Sequence, residues 1–184
     1  MIKNKKILLF KVILWFIPIF ISIQIFNSGL EEINGVLFSY YEDGTVSEKA
    51  SYKNGKRDGL TTLYDRMGNV ERTENYHKGK LSGLSKIYNK DGSVKKIIDL
   101  KNSRPHGISL TYYDNGQIEK EVRYIKGIIN QTKSYYENGQ IKKTISFQNG
   151  RYDGWLITYH ANGEVEDKLC YKKGNKVEDV SYCL

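Results

Sequence analysis

The chain has 184 residues, a formal net charge of +8 and only two cysteines. Residues 1–27 hold four of the lysines and no acidic residue, so the rest of the chain carries a surplus of only +4. Along the sequence that surplus is interspersed with Asp and Glu, which is typical of a solvated surface and argues against a nucleic-acid partner.

The first residues predict a membrane anchor. Ile7 to Phe26 is a largely apolar run of 20 residues, long enough as a helix to cross roughly 30 Å of hydrocarbon. The four lysines keep the N-terminus cytoplasmic and place residues 30–184 outside. A cleaved signal peptide followed by secretion is the alternative, but no alanine precedes Ala50 and residues 27–29 offer a poor cleavage site. We expect an uncleaved signal-anchor over 1–29 and a short linker over 30–34.

The remainder of the chain is a repeat. A glycine recurs every 24 residues, once after 23, and a tyrosine precedes each of these glycines by four positions. The pairs are Tyr40 and Gly44, Tyr64 and Gly68, Tyr88 and Gly92, Tyr112 and Gly116, Tyr135 and Gly139, and Tyr159 and Gly163. A second glycine follows eleven residues later in every unit except the third, where Ser103 stands. Asn-Gly and Asp-Gly dipeptides at these two slots predict tight turns between short strands.

The period predicts an all-β fold, an elongated single antiparallel sheet of repeated hairpins. The six units are 35–58, 59–82, 83–106, 107–130, 131–153 and 154–177, and 178–184 is expected to be a terminal capping strand. Counting in twos from the first glycine places Ile108, Leu110 and Tyr112 on one face together with Val122 and Tyr124. The six tyrosines are therefore expected to stack as a buried ladder, with the first-slot glycines in the turns beside it.

These residues resemble the bacterial second variant of the MORN repeat (membrane occupation and recognition nexus). Its tyrosine and turn pattern is matched by Tyr112–Ile118, by Tyr135–Ile141 and, in its second half, by Tyr52–Gly59. The resemblance implies a hairpin-repeat fold over most of the chain and suggests an antitoxin role, because many bacterial relatives carry that label. Two departures, at 100–106 and near Asn130, predict local kinks in the sheet.

The sequence offers no catalytic or cofactor-binding constellation. His77, His106 and His160 fall at unrelated repeat positions and have no neighbouring ligands at metal-binding spacing. No phosphate loop or nucleophile elbow is present. We therefore expect no enzyme activity, no cofactor, no metal and no small-molecule substrate. Cys170 and Cys183 could form a disulfide in an oxidising compartment or remain two free thiols, and the sequence does not decide between these.

Fifteen tyrosines are the remaining feature with functional content. Tyr41, Tyr113 and Tyr136 each follow a ladder tyrosine and are expected on the opposite, exposed face as a binding surface for a protein or a glycan. The sequence thus predicts a membrane-anchored, extracytoplasmic protein-binding or envelope scaffold. An antitoxin or immunity protein that neutralises a specific toxin is the alternative, and a host-surface adhesion factor is a weaker one.

Overall fold

The computed structural model describes residues 33–184, and these form one antiparallel meander. Its fifteen strands are β1 Gly35–Tyr40, β2 Val46–Lys53, β3 Lys56–Tyr64, β4 Val70–His77, β5 Lys80–Leu81, β6 Gly83–Tyr88, β7 Val94–Lys101, β8 Arg104–Pro105, β9 Gly107–Tyr112, β10 Ile118–Ile125, β11 Ile128–Tyr135, β12 Ile141–Gln148, β13 Arg151–Tyr159, β14 Val165–Lys172 and β15 Asn175–Val177. Each long strand pairs with the next long strand along the chain, while β5 adds to β4 and β8 to β7. The predicted single sheet of hairpins is confirmed.

Membrane spanning is not visible in this part of the chain. Within residues 33–184 no helix is long and apolar enough to cross a bilayer. The predicted signal-anchor over residues 1–29 lies outside the described residues.

Two kinds of turn close the hairpins. In the first slot a five-residue turn is closed at both ends: the Gly44 amide donates to the Tyr41 carbonyl over 3.0 Å, and the Tyr41 amide donates to Thr45 over 2.8 Å. In the second slot both central residues have positive φ, 52° at Asn54 and 69° at Gly55. This is the mirror-image turn that suits strand twist. The third unit keeps that conformation without glycine, since Ser103 has a φ of 63°.

Most pairs of long neighbouring strands contain a register shift, and this changes which residues share a face. In the fourth unit Tyr112 pairs with Ile118, but the next pair is Thr111 with Lys120, so Glu119 is an extra residue. Val122 consequently pairs with Ser109 instead of Ile108. The prediction that Val122 and Tyr124 share a face with Tyr112 was therefore wrong. A one-residue bulge moves a whole strand's side chains to the other face.

Six of the seven buried residues among the described ones lie in a row along one face, which we call the core face; the seventh, Cys170, lies on the other face. The register places Ala50, Thr61 and Glu74 side by side, and the row continues through Ser85 and Ser109 to Leu156. All six side chains are buried, with relative exposures between 0% and 7%. Most are small, so the larger neighbours on adjacent strands can close over them. The core row of this single-layer sheet therefore has mostly small residues at its fully buried positions, with half-buried Ile98, Val122 and Ile145 between them.

The six ladder tyrosines lie on the opposite face, the ladder face. Tyr135, for example, reaches the Glu121 carboxylate over 3.4 Å, and Glu121 pairs with Leu110 across the sheet. Five of the six are half-buried and Tyr40 is 61% exposed. Within residues 33–184 the aromatic ring pairs are Phe147 with Tyr152 and Tyr152 with Tyr171, so the expected stacking of the ladder rings was wrong. Their strands are separated by an intervening strand, which keeps the rings apart.

The C-terminus ends in a helical turn. The predicted capping strand at 178–184 is wrong, because Val180–Cys183 is a 3-10 helix capped by the Asp179 carboxylate, which accepts from the Ser181 amide over 2.9 Å. A disulfide joins Cys183 to Cys170. It turns the chain back toward β14, whereas an extended strand would carry it away. Cys170 is only 1% exposed beneath this cap.

The two sequence irregularities do not interrupt the sheet. Unit five is one residue shorter than the other units, and strands β10 and β11 adjust by a register shift between Arg123 and Tyr124. Strand β11 continues unbroken from Ile128 to Tyr135. In unit three β8 and β9 are separated by His106 alone.

Candidate binding surfaces

The three turn tyrosines connect neighbouring units. The hydroxyls of Tyr41, Tyr113 and Tyr136 donate to the backbone carbonyls of Tyr64, Tyr135 and Tyr159, over 2.6, 2.7 and 2.8 Å respectively. Each side chain is half-buried and lies in a first-slot turn instead of on a strand face. Their expected full exposure is therefore wrong, and each hydroxyl has a structural use. A partner-binding role for these three stays a prediction.

An exposed aliphatic row crosses the N-terminal part of the ladder face. Val36, Leu60, Leu84 and Ile108 are 48%, 50%, 46% and 40% exposed. Each follows a glycine that opens a unit, and their register partners all lie on the ladder face. Successive members are two strands apart, about 10 Å. Exposed apolar side chains repeated at a fixed spacing offer a regular set of contacts to another protein.

Sequence reasoning found only part of this aliphatic row. It grouped Ile108 with Tyr112, which is the face that Ile108 occupies, but expected that face to be buried, whereas Ile108 is 40% exposed. The row could have been found from its fixed position in the repeat. Directly after the opening glycine stands a large aliphatic residue in each of the first four units.

The row ends at the fifth unit, where the ladder face becomes polar. Gln131 takes the next position, and Trp155 in the sixth unit is covered by the Lys168 ammonium, 3.9 Å from its ring centroid. A groove of about 520 Å³ opens here, lined by residues that include Arg123, Gln131, Asp153 and Tyr182. The Tyr182 hydroxyl donates to Asp153 over 2.6 Å and, with the Lys173 amide, lowers the pKa of that carboxyl.

The core face of the first two units carries a polar network. The Arg57 guanidinium makes two hydrogen bonds to the Glu48 carboxylate, over 2.6 and 2.9 Å, and reaches the hydroxyls of Tyr52 and Tyr76 at 3.4 and 3.5 Å. Burial lowers the pKa of Arg57, but the hydrogen bonds to both tyrosines and the charge of Glu48 outweigh it and raise the pKa. Arg57 therefore stays charged and ties β2 to β3 and β4.

The histidines do not assemble into a site. His77 lies 3.4 Å from the Asp58 carboxylate, and His106 and His160 stand in other units. Within residues 33–184 no group of three His, Cys, Asp or Glu side chains could hold a metal ion.

Comparison with known protein families gives one positive result. A family model described as "MORN repeat variant" matches residues 33–54, 105–126 and 130–149. The chain contains MORN-type repeats. The three matched segments are the ones in which a turn tyrosine follows the ladder tyrosine, at Tyr41, Tyr113 and Tyr136. In each matched MORN repeat, therefore, the second tyrosine anchors the following unit through its backbone.

Comparison with solved structures gives weaker likenesses, and no curated protein matches the chain. A crystal structure of an S. aureus TarM mutant, in complex with fondaparinux, alpha-GlcNAc-glycerol and UDP, is 15% identical with a TM-score of 0.38, covering 52% of this chain and 19% of its own. A second TarM crystal structure is 17% identical with a TM-score of 0.37 over the same shares, 52% and 19%. The GtfA/B complex bound to UDP and GlcNAc is 15% identical with a TM-score of 0.28, covering 62% and 22%. The chain thus matches about a fifth of the length of each.

Proposed function

We propose that this MORN-repeat chain is a non-catalytic, membrane-anchored and extracytoplasmic scaffold that binds a protein partner on its ladder face. The observation that supports the binding role is the exposed aliphatic row Val36, Leu60, Leu84 and Ile108. Complete burial of one such side chain contributes about 1.5–3 kcal/mol. Four half-exposed side chains on one face could therefore supply much of the energy of a specific interface.

The predicted anchor supports the proposed extracytoplasmic location of the repeats. A 20-residue apolar run flanked by lysines would hold the N-terminus inside and present the repeats on the outer surface. The disulfide between Cys170 and Cys183 is consistent with an oxidising compartment. Labelling of single introduced cysteines with a membrane-impermeant reagent on intact cells tests this orientation. Labelling confined to lysed cells would contradict it.

The ladder-face row can be tested by substitution in the full-length chain. The variant Leu60→Ser/Leu84→Ser/Ile108→Ser should fold, because all three residues are at least 40% exposed. In crosslinking on intact cells it should lose the adducts that the unchanged protein forms.

A matched control removes three exposed apolar side chains away from the ladder face, in the variant Leu37→Ser/Met67→Ser/Val180→Ser, whose residues are 44%, 86% and 44% exposed. Leu37 pairs with Ala50 on the core face, Met67 lies in a turn and Val180 lies in the C-terminal helical turn. We expect this control to keep the adducts. Adducts that survive the ladder-face variant, or vanish equally in both, would contradict the proposed binding surface.

A further inference from the structure

The meander sorts its turns into two rows. Because consecutive strands are antiparallel, successive turns lie at opposite ends of the strands. The acidic turn row comprises the first-slot turns 41–45, 65–69, 89–93, 113–117, 136–140 and 160–164. The basic turn row comprises the second-slot turns 53–56, 77–80, 101–104, 125–128, 148–151 and 172–175.

Folding separates charges that alternate along the sequence. The basic turn row holds ten exposed cationic side chains and no Asp or Glu: Lys53, Lys56, Lys78, Lys80, Lys101, Arg104, Lys126, Arg151, Lys172 and Lys173. The acidic turn row holds seven acidic residues and two basic ones, and one of those two, Arg66, lies 3.8 Å from Asp43. The basic surplus that is scattered in the sequence is therefore concentrated at one end of the strands.

The cations of the basic turn row are not neutralised by their surroundings. Among the described residues none of the ten forms an ion pair. Three carboxylates lie near the row: Asp58 accepts from the Lys78 amide and Asp153 from the Lys173 amide, each over 3.0 Å. Asp153 and Asp179 also interact electrostatically with Lys172 at the C-terminal end of the row. The Lys172 ammonium lies 4.6 Å from the Tyr182 ring. The row therefore keeps most of its charge for a ligand.

Backbone hydrogen bonds hold successive basic turns side by side. The Gly79 amide donates to the Arg57 carbonyl, and the Ser103 amide to that of Leu81, both over 2.8 Å. The turns follow at two-strand intervals, about 10 Å. Around the third turn a cleft of about 540 Å³ is lined by Lys80, Lys101, Arg104, His106 and Lys126, together with Asn102, Pro105 and Gly127. The charge is thus arranged in a line with one concave, densely basic position.

We propose that the basic turn row binds a linear polyanion, a polymer chain that carries phosphate or sulfate groups along its length, and that the cleft is its main contact. A narrow line of cations at regular intervals fits a thread-like ligand, since several groups of one chain can be bound at once. This inference goes beyond the proposed scaffold function and does not depend on it, because the turn row and the ladder face are separate surfaces.

The test measures binding of the full-length chain, in a neutral detergent, to long-chain inorganic polyphosphate. The variant Lys80→Gln/Lys101→Gln/Arg104→Gln should raise the Kd by about tenfold or more. The plot of the logarithm of the binding constant against the logarithm of the salt concentration should become shallower, with the magnitude of its negative slope reduced by about three. Tripolyphosphate should bind more weakly than the long chain. The control Lys90→Gln/Lys95→Gln/Lys120→Gln removes the same charge from exposed positions outside the row and should keep binding near that of the unchanged protein.

Several results would overturn the proposal. One is equal binding by both variants, whether near that of the unchanged protein or equally weakened, since the row would then not be the contact. Another is retention on anionic phosphatidylserine vesicles without polyphosphate binding, which would assign the row to a membrane surface. A third is salt-sensitive self-association abolished by the cleft variant, which would assign the row to the acidic turns of a second copy.

Discussion

Removal of one hydroxyl from a turn tyrosine should weaken the connection between two repeats. The Tyr113 hydroxyl donates to the Tyr135 carbonyl over 2.7 Å in a half-buried setting. Loss of a hydrogen bond of this kind costs about 0.5–1.5 kcal/mol. For a chain of this size that corresponds to a fall of about 1–6 °C in the melting temperature. We therefore expect Tyr113→Phe to lower the Tm measured by circular dichroism of the full-length protein by this amount.

The adjacent residue provides the matched control. Tyr112 is also half-buried, but its hydroxyl makes no hydrogen bond within residues 33–184. Tyr112→Phe removes the same atom and should change stability by less than about 0.5 kcal/mol. Tyr136→Phe should resemble Tyr113→Phe, because Tyr136 makes the corresponding bond over 2.8 Å. If Tyr112→Phe costs as much as Tyr113→Phe, the hydroxyl bond is not what stabilises the junction.

Three further predictions follow from single features. Ser103→Gly should be more stable than Ser103→Ala by about 1 kcal/mol in urea unfolding, because both lose the hydroxyl but only Gly relieves the φ of 63°; equal midpoints would contradict the strain. Cys170→Ser/Cys183→Ser should cost about 3 kcal/mol, the entropy of opening a loop across a separation of 13 residues, and should make the C-terminus cleavable by protease. Protection equal to that of the oxidised protein would refute it. Glu48→Gln and Arg57→Gln should each destabilise by about 1–2 kcal/mol and be coupled by about 1 kcal/mol in a double-mutant cycle; additive losses would mean that their 2.6 Å contact contributes nothing.

The turns could be predicted from sequence because their determinants are local. The turn at Asn54 and Gly55 needs two residues that accept positive φ, and this dipeptide supplies both of them. Once the turns recur at a fixed period, the hairpins and their order along one sheet follow. The family resemblance rests on the same local residues, which is why it was confirmed.

The faces could not be predicted by counting in twos, because a bulge changes the count without leaving a distinct residue type. Glu119 is the extra residue in the fourth hairpin, yet Glu at that position also suits an ordinary exposed strand site. Its effect appears only in the pairing of Val122 with Ser109. The segregation of charge is likewise a property of topology, because Lys and Glu that are close in sequence lie at opposite ends of a strand.

The bulges in most of the long hairpins account for the way this single-layer sheet distributes its surfaces. Because the bulge puts Tyr112 and Val122 on opposite faces, each unit contributes apolar residues to both faces, and neither face can bury all of them. On the core face, small residues such as Ala50 and Thr61 occupy buried positions, because neighbouring side chains can shield a small side chain from solvent. The ladder face has no such row, and the side chains beside its opening glycines remain exposed as far as Ile108. Exposure on the ladder face is thus a consequence of the repeat's register, and the regular spacing that results makes it usable as a binding surface.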